Sequence, residues 1–598
     1  MNFEIEELKN VSNLLSMKHL SDISPINDKK IIDNLREFVK IYQEWVLVQE
    51  NKIAKLPDAL HRIAKYNISK CKGLAQRMLK GISLLESDKL VFLSFKLANR
   101  AMLMQRIHTV MQSEKKWPNE KLDFVEYKNI KEANASWRPF QLAFLLLSID
   151  GLVNSDNSED RDIVDLIWFS TGGGKTEAYL GVSAFEIFYR RFRYPENYGG
   201  TTIIMRYTLR LLTSQQFQRA STLICACELI RKEYLNNNLS LGNDSITIGM
   251  WIGSDSTPNK FTDAKSACDK LITNQDGQNP FQILSCPWCG TRLYKEYNKG
   301  LWGYKPKTRP NRFVIHCTNE ECPFIDELPI LIVDEDIYNN PPTLLFGTVD
   351  KFAMLPWNGE ISRVFALDKG NNNRSPELII QDELHLISGP LGTIVGLYET
   401  AIDAMCSYKG TKPKIIASTA TIRRAKEQVK ALYNREVSQF PPLGIDSEDS
   451  FFAREYKENP GRLYVVLMAT GKTLTTTQVR LYAALLHYIT ELNYPDEVKD
   501  KYWTLVGYFN SIRELGKTLT LTQSDILEQV YRISKRRRKK LRLYGEAAEL
   551  TSRKKANEIP QILDELLKEY PSKEVVSILL ATNMISVGVD IDRIGLMT

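Results

Sequence analysis

Ser170-Thr-Gly-Gly-Gly-Lys-Thr176 decides how the rest of the chain is read. A mostly apolar run, Ile163 to Phe169, precedes it, and Glu177 to Tyr194 follows with helical periodicity, which gives strand, phosphate loop, helix. Gly172, Gly173 and Gly174 allow positive φ and a close backbone approach. With Thr171 they can turn several N–H groups, and the positive end of a new helix, toward phosphate oxygens. Lys175 adds a point charge for the β- and γ-phosphates. Thr176 supplies a hydroxyl for Mg2+, a hard cation that takes oxygen ligands. The general phosphate-loop pattern has glycine where Phe169 stands. A plain Gly-rich turn is the competing reading; the flanking strand, the flanking helix and the Lys-Thr pair speak against it.

Working outward, Leu378-Ile-Ile-Gln381 reads as another buried strand, capped by Asp382-Glu-Leu-His385. The two adjacent carboxylates suit separate tasks: Asp382 can hold Mg2+ through water, and Glu383 can orient and polarise an attacking water. His385 would couple nucleotide state to its neighbours, completing a catalytic set with Lys175. Upstream, Trp137-Arg-Pro-Phe-Gln141 opens a helix with Pro139 in the first turn, and the Gln141 amide can present donor and acceptor together to an adenine edge. Thr201 to Met205 is a short buried strand. Ligand groups in an open parallel sheet sit beyond the carboxyl ends of strands, which places Arg206, Thr208 and Arg210 to touch a phosphate backbone, and Thr348 of Gly347-Thr-Val-Asp-Lys351 likewise. Arg210 and the Gln215-Gln216 pair fit a solvated helix face equally well.

Cys286-Pro-Trp-Cys289 and Cys317-Thr-Asn-Glu-Glu-Cys322 form two tight pairs among nine cysteines. Four thiolates can close a tetrahedral structural Zn2+ site with no open catalytic position, and His316 is a possible substitute ligand. Between the pairs, Lys295, Lys299, Lys305, Lys307 and Arg309 interleave with Tyr294, Tyr297, Trp302 and Tyr304, a pattern that suits nucleic acid or a plain exposed insert.

The chain has 598 residues, enough for about three to five domains. Its 43% hydrophobic and 25% charged composition excludes wholesale disorder. Net charge of +7 permits a nucleic-acid partner without arguing for one. The acidic start, the absence of a long apolar run and the cysteine usage point to a reducing, cytoplasmic setting with no membrane partner. Residues 31 to 112 carry apolar residues at helical spacing and very few glycines, and predict an all-helical N-terminal domain. Within it Phe95 to Gln105, with Asn99 and Arg100, reads first as core packing. The expected domains are a helical domain over 1–130, a first lobe over 131–435 with a zinc-binding insert at about 280–328, a linker over 436–460, and a second lobe over 461–598 beginning with a strand at Leu463 to Leu467. Gly471-Lys472-Thr473 mimics a phosphate loop but lacks the preceding glycines, and the basic run Ser534 to Lys540 reads as a solvated face before a binding one.

In this order the motifs resemble superfamily 2 helicases. The loop at 170–176 resembles their motif I, Gln141 their Q motif, and Asp382-Glu-Leu-His385 their Asp-Glu-Ala-His box. Ser418-Thr-Ala-Thr421 is similar to motif III, where Ser418, Thr419 and Thr421 would link the ATP site to the strand-binding groove. Trp503 to Asn510 looks like motif IV. Thr582-Asn-Met-Ile-Ser-Val-Gly-Val-Asp590 resembles motif V, in which Thr582 and Asn583 would touch the nucleic-acid backbone while Gly588 and Asp590 lie near the ATP cleft. The resemblance implies an α/β fold of two RecA-like parallel-sheet lobes, with ATP and Mg2+ as cofactors. The wording of Phe95 to Gln105, Ser170 to Leu180, Met205 to Thr213 and Ala581 to Asp590 resembles the helicase family of DISARM defence systems. That family implies bacterial antiphage defence, a DNA substrate, single-stranded or with an overhang, and a companion defence protein. A superfamily 2 RNA helicase and a nucleotide-gated binding module with little hydrolysis remain the alternatives. The sequence stops at Gly595-Leu-Met-Thr598, before the arginine-bearing motif VI of such enzymes. The expectation is an incomplete second lobe, and ATP binding with very slow hydrolysis until a second polypeptide completes it.

Overall fold

The computed structural model describes the chain apart from residues 1–4, 6, 7, 9–12, 115–134, 156, 157, 170, 171, 208–212, 236–239, 254–256, 274–278, 294–302, 420–423, 447, 456–460, 552, 555–557, 583, 584, 586–590 and 592. Two units, Met1–Glu458 and Asn459–Thr598, make it up.

In the first unit the short apolar runs become strands: β1 (Val164–Trp168), β2 (Ile203–Tyr207), β3 (Ile248–Trp251), a separate hairpin of β4 (Tyr304–Thr308) and β5 (Asn311–Ile315), then β6 (Ile330–Leu331), β7 (Leu344–Thr348), β8 (Leu378–Gln381), β9 (Lys414–Thr419) and β10 (Val437–Phe440). Eight of them form one sheet in the order β10-β1-β9-β8-β2-β7-β3-β6, parallel throughout. Such strands are buried on both faces, which is why they read as continuous apolar runs. Successive side chains alternate between two cores. Ile167, Met205, Phe346, Ile380 and Ile416 face one, and Leu166, Ile204, Leu345, Ile379 and Ile415 the other.

The first core is covered by long helices: α1 (Asp28–Lys52), α2 (Asp58–Ser87), α3 (Lys89–Glu114), α4 (Pro139–Val153), α5 (Lys175–Arg193) and α6 (Thr213–Glu233). The helical N-terminal region is present as expected. It is built into the first unit, α2 packing on α4, and α3 on α5 and α6. Phe95, Leu97, Ala98 and Asn99 are fully buried, so this stretch of α3 is core, and Arg100 pairs with Glu233 at the surface. Asp165 of β1 points into the same face. Arg77 of α2 holds both its oxygens at 2.7 and 2.9 Å, and Lys414 of β9 approaches to 2.9 Å. Burial alone would raise the Asp165 carboxyl, but Arg77 and Lys414 outweigh it and hold it below its ordinary value. The second core is covered by α8 (Gly389–Ser407) and α9 (Ala425–Tyr433), named after α7 (Phe261–Ile272), which packs on the β4–β5 hairpin.

Three expectations need correction. The stretch taken as a linker from 436 opens with β10, which pairs with β1, and its later residues Phe451 and Phe452 pack on Tyr42 of α1. The first unit therefore runs on to Glu458. In the second unit Leu463 to Leu467 forms no strand. Leu463, Tyr464 and Val466 are 88%, 82% and 93% exposed, because no described strand lies beside them. Tyr304 does not offer its ring to a ligand: it is buried with Phe281 and Phe313, and its hydroxyl meets the Ile283 carbonyl. Tyr294, Lys295, Tyr297, Lys299 and Trp302 lie outside the described residues.

The second unit is a four-stranded parallel sheet, β12-β13-β11-β14, made from β11 (Leu505–Tyr508), β12 (Ala548–Leu550), β13 (Ile578–Ala581) and β14 (Leu596–Met597). Helices α10 (Leu474–Tyr488) and α11 (Asp525–Arg537) supply Tyr482, Leu486, Ile526 and Val530 to its core. Thr473 caps α10 by accepting the Thr476 N–H at 3.1 Å, which gives Gly471-Lys472-Thr473 an ordinary helix-start role.

Candidate nucleotide site and cysteine cluster

The loop at 172–174 turns directly into α5, whose N-cap is Gly174 in the left-handed region at φ 88°. That backbone requires glycine, and a Cβ there would also push the Gln141 amide, 2.8 Å away, from its place. Gln141 Nε2 donates to the Gly174 carbonyl at 2.8 Å while its Oε1 accepts the Arg138 N–H at 2.8 Å. Its amide thus holds the loop from behind. Arg138, which no motif marks, donates to the Gly173 carbonyl. Phe169 fills the position of the pattern's missing glycine by stacking on Phe140, ring centroids 4.1 Å apart. Ser170 and Thr171 lie outside the described residues.

Lys175 is buried and donates to the Phe169 carbonyl at 3.1 Å; its Nζ is 4.0 Å from Glu383 Oε1. A buried cation beside a carboxylate at a helix N-terminus is where a phosphate can settle. Thr176 Oγ1 is 3.1 Å from Gln216 Oε1. Asp382, just past β8, accepts from Tyr179 at 3.0 Å, from the Glu383 N–H at 3.0 Å and from Ser418 of β9. Glu383 has φ 47°, a left-handed backbone for a side chain that does not favour it, and strain of this kind persists where surrounding contacts fix it. Burial, and then Asp382, push its carboxyl up to about 7 against the opposing pull of Lys175. His385 Nδ1 lies 3.3 Å from Glu383 Oε2 and 3.1 Å from Thr419 Oγ1, and burial lowers its pKa. Lys175, Thr176, Asp382, Glu383, His385, Ser418 and Thr419 therefore meet at the carboxyl ends of β1, β8 and β9. Three neighbouring strands deliver them. Tyr179 and Tyr207 stand among them without any signal in the sequence.

Arg206 is not at the sheet edge. It points to the opposite face from Tyr207, is 1% exposed and is paired with Glu399 of α8, so it is engaged inside the second core instead of being offered to a phosphate. Thr348 is also fully buried, its Oγ1 without a partner among the described residues. Thr582 follows β13 and is nearly buried. Thr208, Arg210, Thr421, Asn583, Gly588 and Asp590 lie outside the described residues.

The sulfurs of Cys286, Cys289, Cys317 and Cys322 all lie within 4.8 Å of one another, with Cys289 to Cys317 at 3.4 Å and Cys286 to Cys322 at 4.0 Å. Zn–S bonds of about 2.3 Å in a tetrahedron put sulfurs about 3.8 Å apart, so the cluster fits a zinc site and is too open for disulfides. Burial pushes the Cys286 thiol up, a cost that a bound cation would reverse. His316 is not in the cluster; its ring faces the Cys317 carbonyl. The first knuckle docks on two helices: Trp288 stacks on His108 of α3 at 3.5 Å, and the Pro287 carbonyl accepts from Thr222 of α6 and Gln112 of α3.

Over 96% of its length the chain is 40% identical to the DISARM protein DrmA of Bacillus paralicheniformis. The chain is a relative of DrmA. It spans about half, 54%, of that DrmA's length. No protein-family model matches it. Similar solved structures include the Mycobacterium smegmatis helicase Lhr bound to ssDNA and AMP-PNP, at 13% identity and TM-score 0.40 over 76% of this chain and 41% of Lhr. The DUF1998 helicase MrfA bound to DNA follows at 14% and 0.31, over 67% of this chain and 42% of MrfA. At these scores the likeness adds nothing to what the strand order itself shows. Among the described residues no helix is long and apolar enough to cross a membrane.

Proposed function

We propose that this DrmA relative is an ATP-hydrolysing superfamily 2 helicase or translocase that acts on DNA, single-stranded or bearing an overhang, in a cytoplasmic DISARM-type antiphage system alongside a companion defence protein. One observation carries the nucleotide part: Lys175, at the N-terminus of α5, stands 4.0 Å from Glu383, which follows Asp382 at the end of β8. In this reading the loop amides and Lys175 bind the phosphates, and Thr176 and Asp382 would hold Mg2+. When bound, that ion offsets phosphate charge. Glu383 takes a proton from the attacking water, and its raised pKa makes it a willing acceptor. His385 and Thr419 tie Glu383 to the end of β9, next to the motif III residues. DNA and defence rest on the relationship to DrmA, and the structural zinc on the thiol geometry.

ATP turnover measured with single-stranded, duplex and overhang DNA beside RNA tests the reading. DNA stimulation above that of RNA is expected. Equal or greater stimulation by RNA would reassign the substrate, and nucleotide binding with no turnover under any of these conditions would leave a gated binding module.

A further inference from the structure

The Asp382 carboxylate is reached by a chain of two tyrosines. Tyr179, one turn into α5 from Thr176, has its hydroxyl 3.0 Å from Asp382 Oδ2, 3.2 Å from Thr176 Oγ1 and 3.2 Å from the Tyr207 hydroxyl. Both rings are buried to about 1% exposure or less, so water does not compete for these contacts. Each phenol carries a single proton. Asp382 accepts only, so Tyr179 donates to Asp382 and its lone pair takes the proton of Tyr207. The direction runs from Tyr207 through Tyr179 to Asp382.

Tyr207 is the last residue of β2, stacked on Phe346 at 4.5 Å, and its ladder partner on β7 is Thr348. In an open parallel sheet, ligands sit beyond the carboxyl ends of the strands, and Tyr207 stands at the carboxyl end of β2. We infer that Tyr179 and Tyr207 are positioning residues: their hydroxyl relay orients Asp382 for Mg2+ and couples the occupied nucleotide site to DNA held beyond the carboxyl end of β2. The inference rests on the proposed function. Buried hydrogen-bond chains polarise along their length, so a change at one end can bias binding at the other.

The test compares wild type with Tyr207→Phe and Tyr179→Phe, each of which removes one hydroxyl and keeps the ring. Two binding readouts serve, neither of them turnover: the Mg2+ concentration that half-saturates binding of a fluorescent ATP analogue, and the ratio of affinities for a labelled single-stranded DNA with and without AMP-PNP·Mg2+. Tyr207→Phe is expected to keep analogue affinity at saturating Mg2+ and to lower the affinity ratio by about fivefold or more, the lower end of ordinary coupling. Tyr179→Phe should do the same and also raise the Mg2+ half-saturation by about two- to tenfold, the worth of one hydrogen bond. A purely structural role would lower thermal stability while leaving both readouts at wild-type values, and that result overturns the relay. Wild type that binds the analogue without Mg2+ dependence overturns the proposed nucleotide site and the relay with it. Mg2+-dependent binding in wild type with unaltered ratios in both variants overturns the relay alone.

Discussion

Lys175 and Glu383 stand 4.0 Å apart, yet they should fail differently. Lys175→Ala removes a charged contact to phosphate and should weaken nucleotide binding by about 10-fold or more. Glu383→Gln should retain nucleotide and lower turnover by about 10²- to 10⁴-fold, the usual share of a general base. Equilibrium binding and single-turnover hydrolysis on the two variants separate these outcomes. A second residue-scale prediction concerns Glu186 on α5, pushed up to about 8 by burial and by Glu377, against Arg161, Arg190 and Arg374. A carboxyl with a raised folded pKa keeps its proton while the unfolded chain releases its own. Stability therefore declines as pH climbs from about 4.5 to about 8, by at most about 1.4 kcal/mol per unit. Glu186→Gln should flatten that decline in melting temperature measured from pH 5 to 8. The placement of Lys175, Thr176, Asp382 and Glu383 was readable because loop, helix start and strand end are local. Arg206 was not: the sequence shows a strand end but not which face the side chain takes, nor that Glu399, far along the chain, waits on that face. Nor could any spacing rule announce that Tyr179 and Tyr207 would meet.

Among the elements, the cysteine knuckle is the one whose removal should be felt elsewhere. Cys286→Ser is expected to lose stoichiometric zinc and to lower the melting temperature, since binding of a structural metal is folding energy. Because Trp288 and Pro287 rest on α3 and α6, hydrogen exchange should quicken in those helices as well. Metal analysis and exchange on the purified variant check both. That the four cysteines would cluster was legible from spacing alone, although the docking was not, for the helices that receive it come from distant stretches. Leu463 to Leu467 shows the opposite limit: a run of apolar residues has the composition of a buried strand, but a strand exists only where another lies beside it.

At the scale of the molecule, the first unit is held together by Arg77, Asp165 and Lys414, drawn from α2, β1 and β9. Arg77→Ala would leave the buried Asp165 with Lys414 but without its bidentate partner, at a cost of about 3 to 5 kcal/mol in denaturant unfolding of that unit. A loss well under 1 kcal/mol would mean that the helical region merely leans on the sheet. The helical start was foreseeable from periodicity, whereas the joining of those helices to the sheet, through a shared core and this ionic contact between residues 88 positions apart, was not. The triad also constrains how such a chain can drift over evolutionary time. No member can be exchanged for a neutral residue while the others stay, so positions 77, 165 and 414 are expected to change together or not at all. An alignment of relatives in which Asp165 persists after Arg77 and Lys414 have both gone neutral would contradict this.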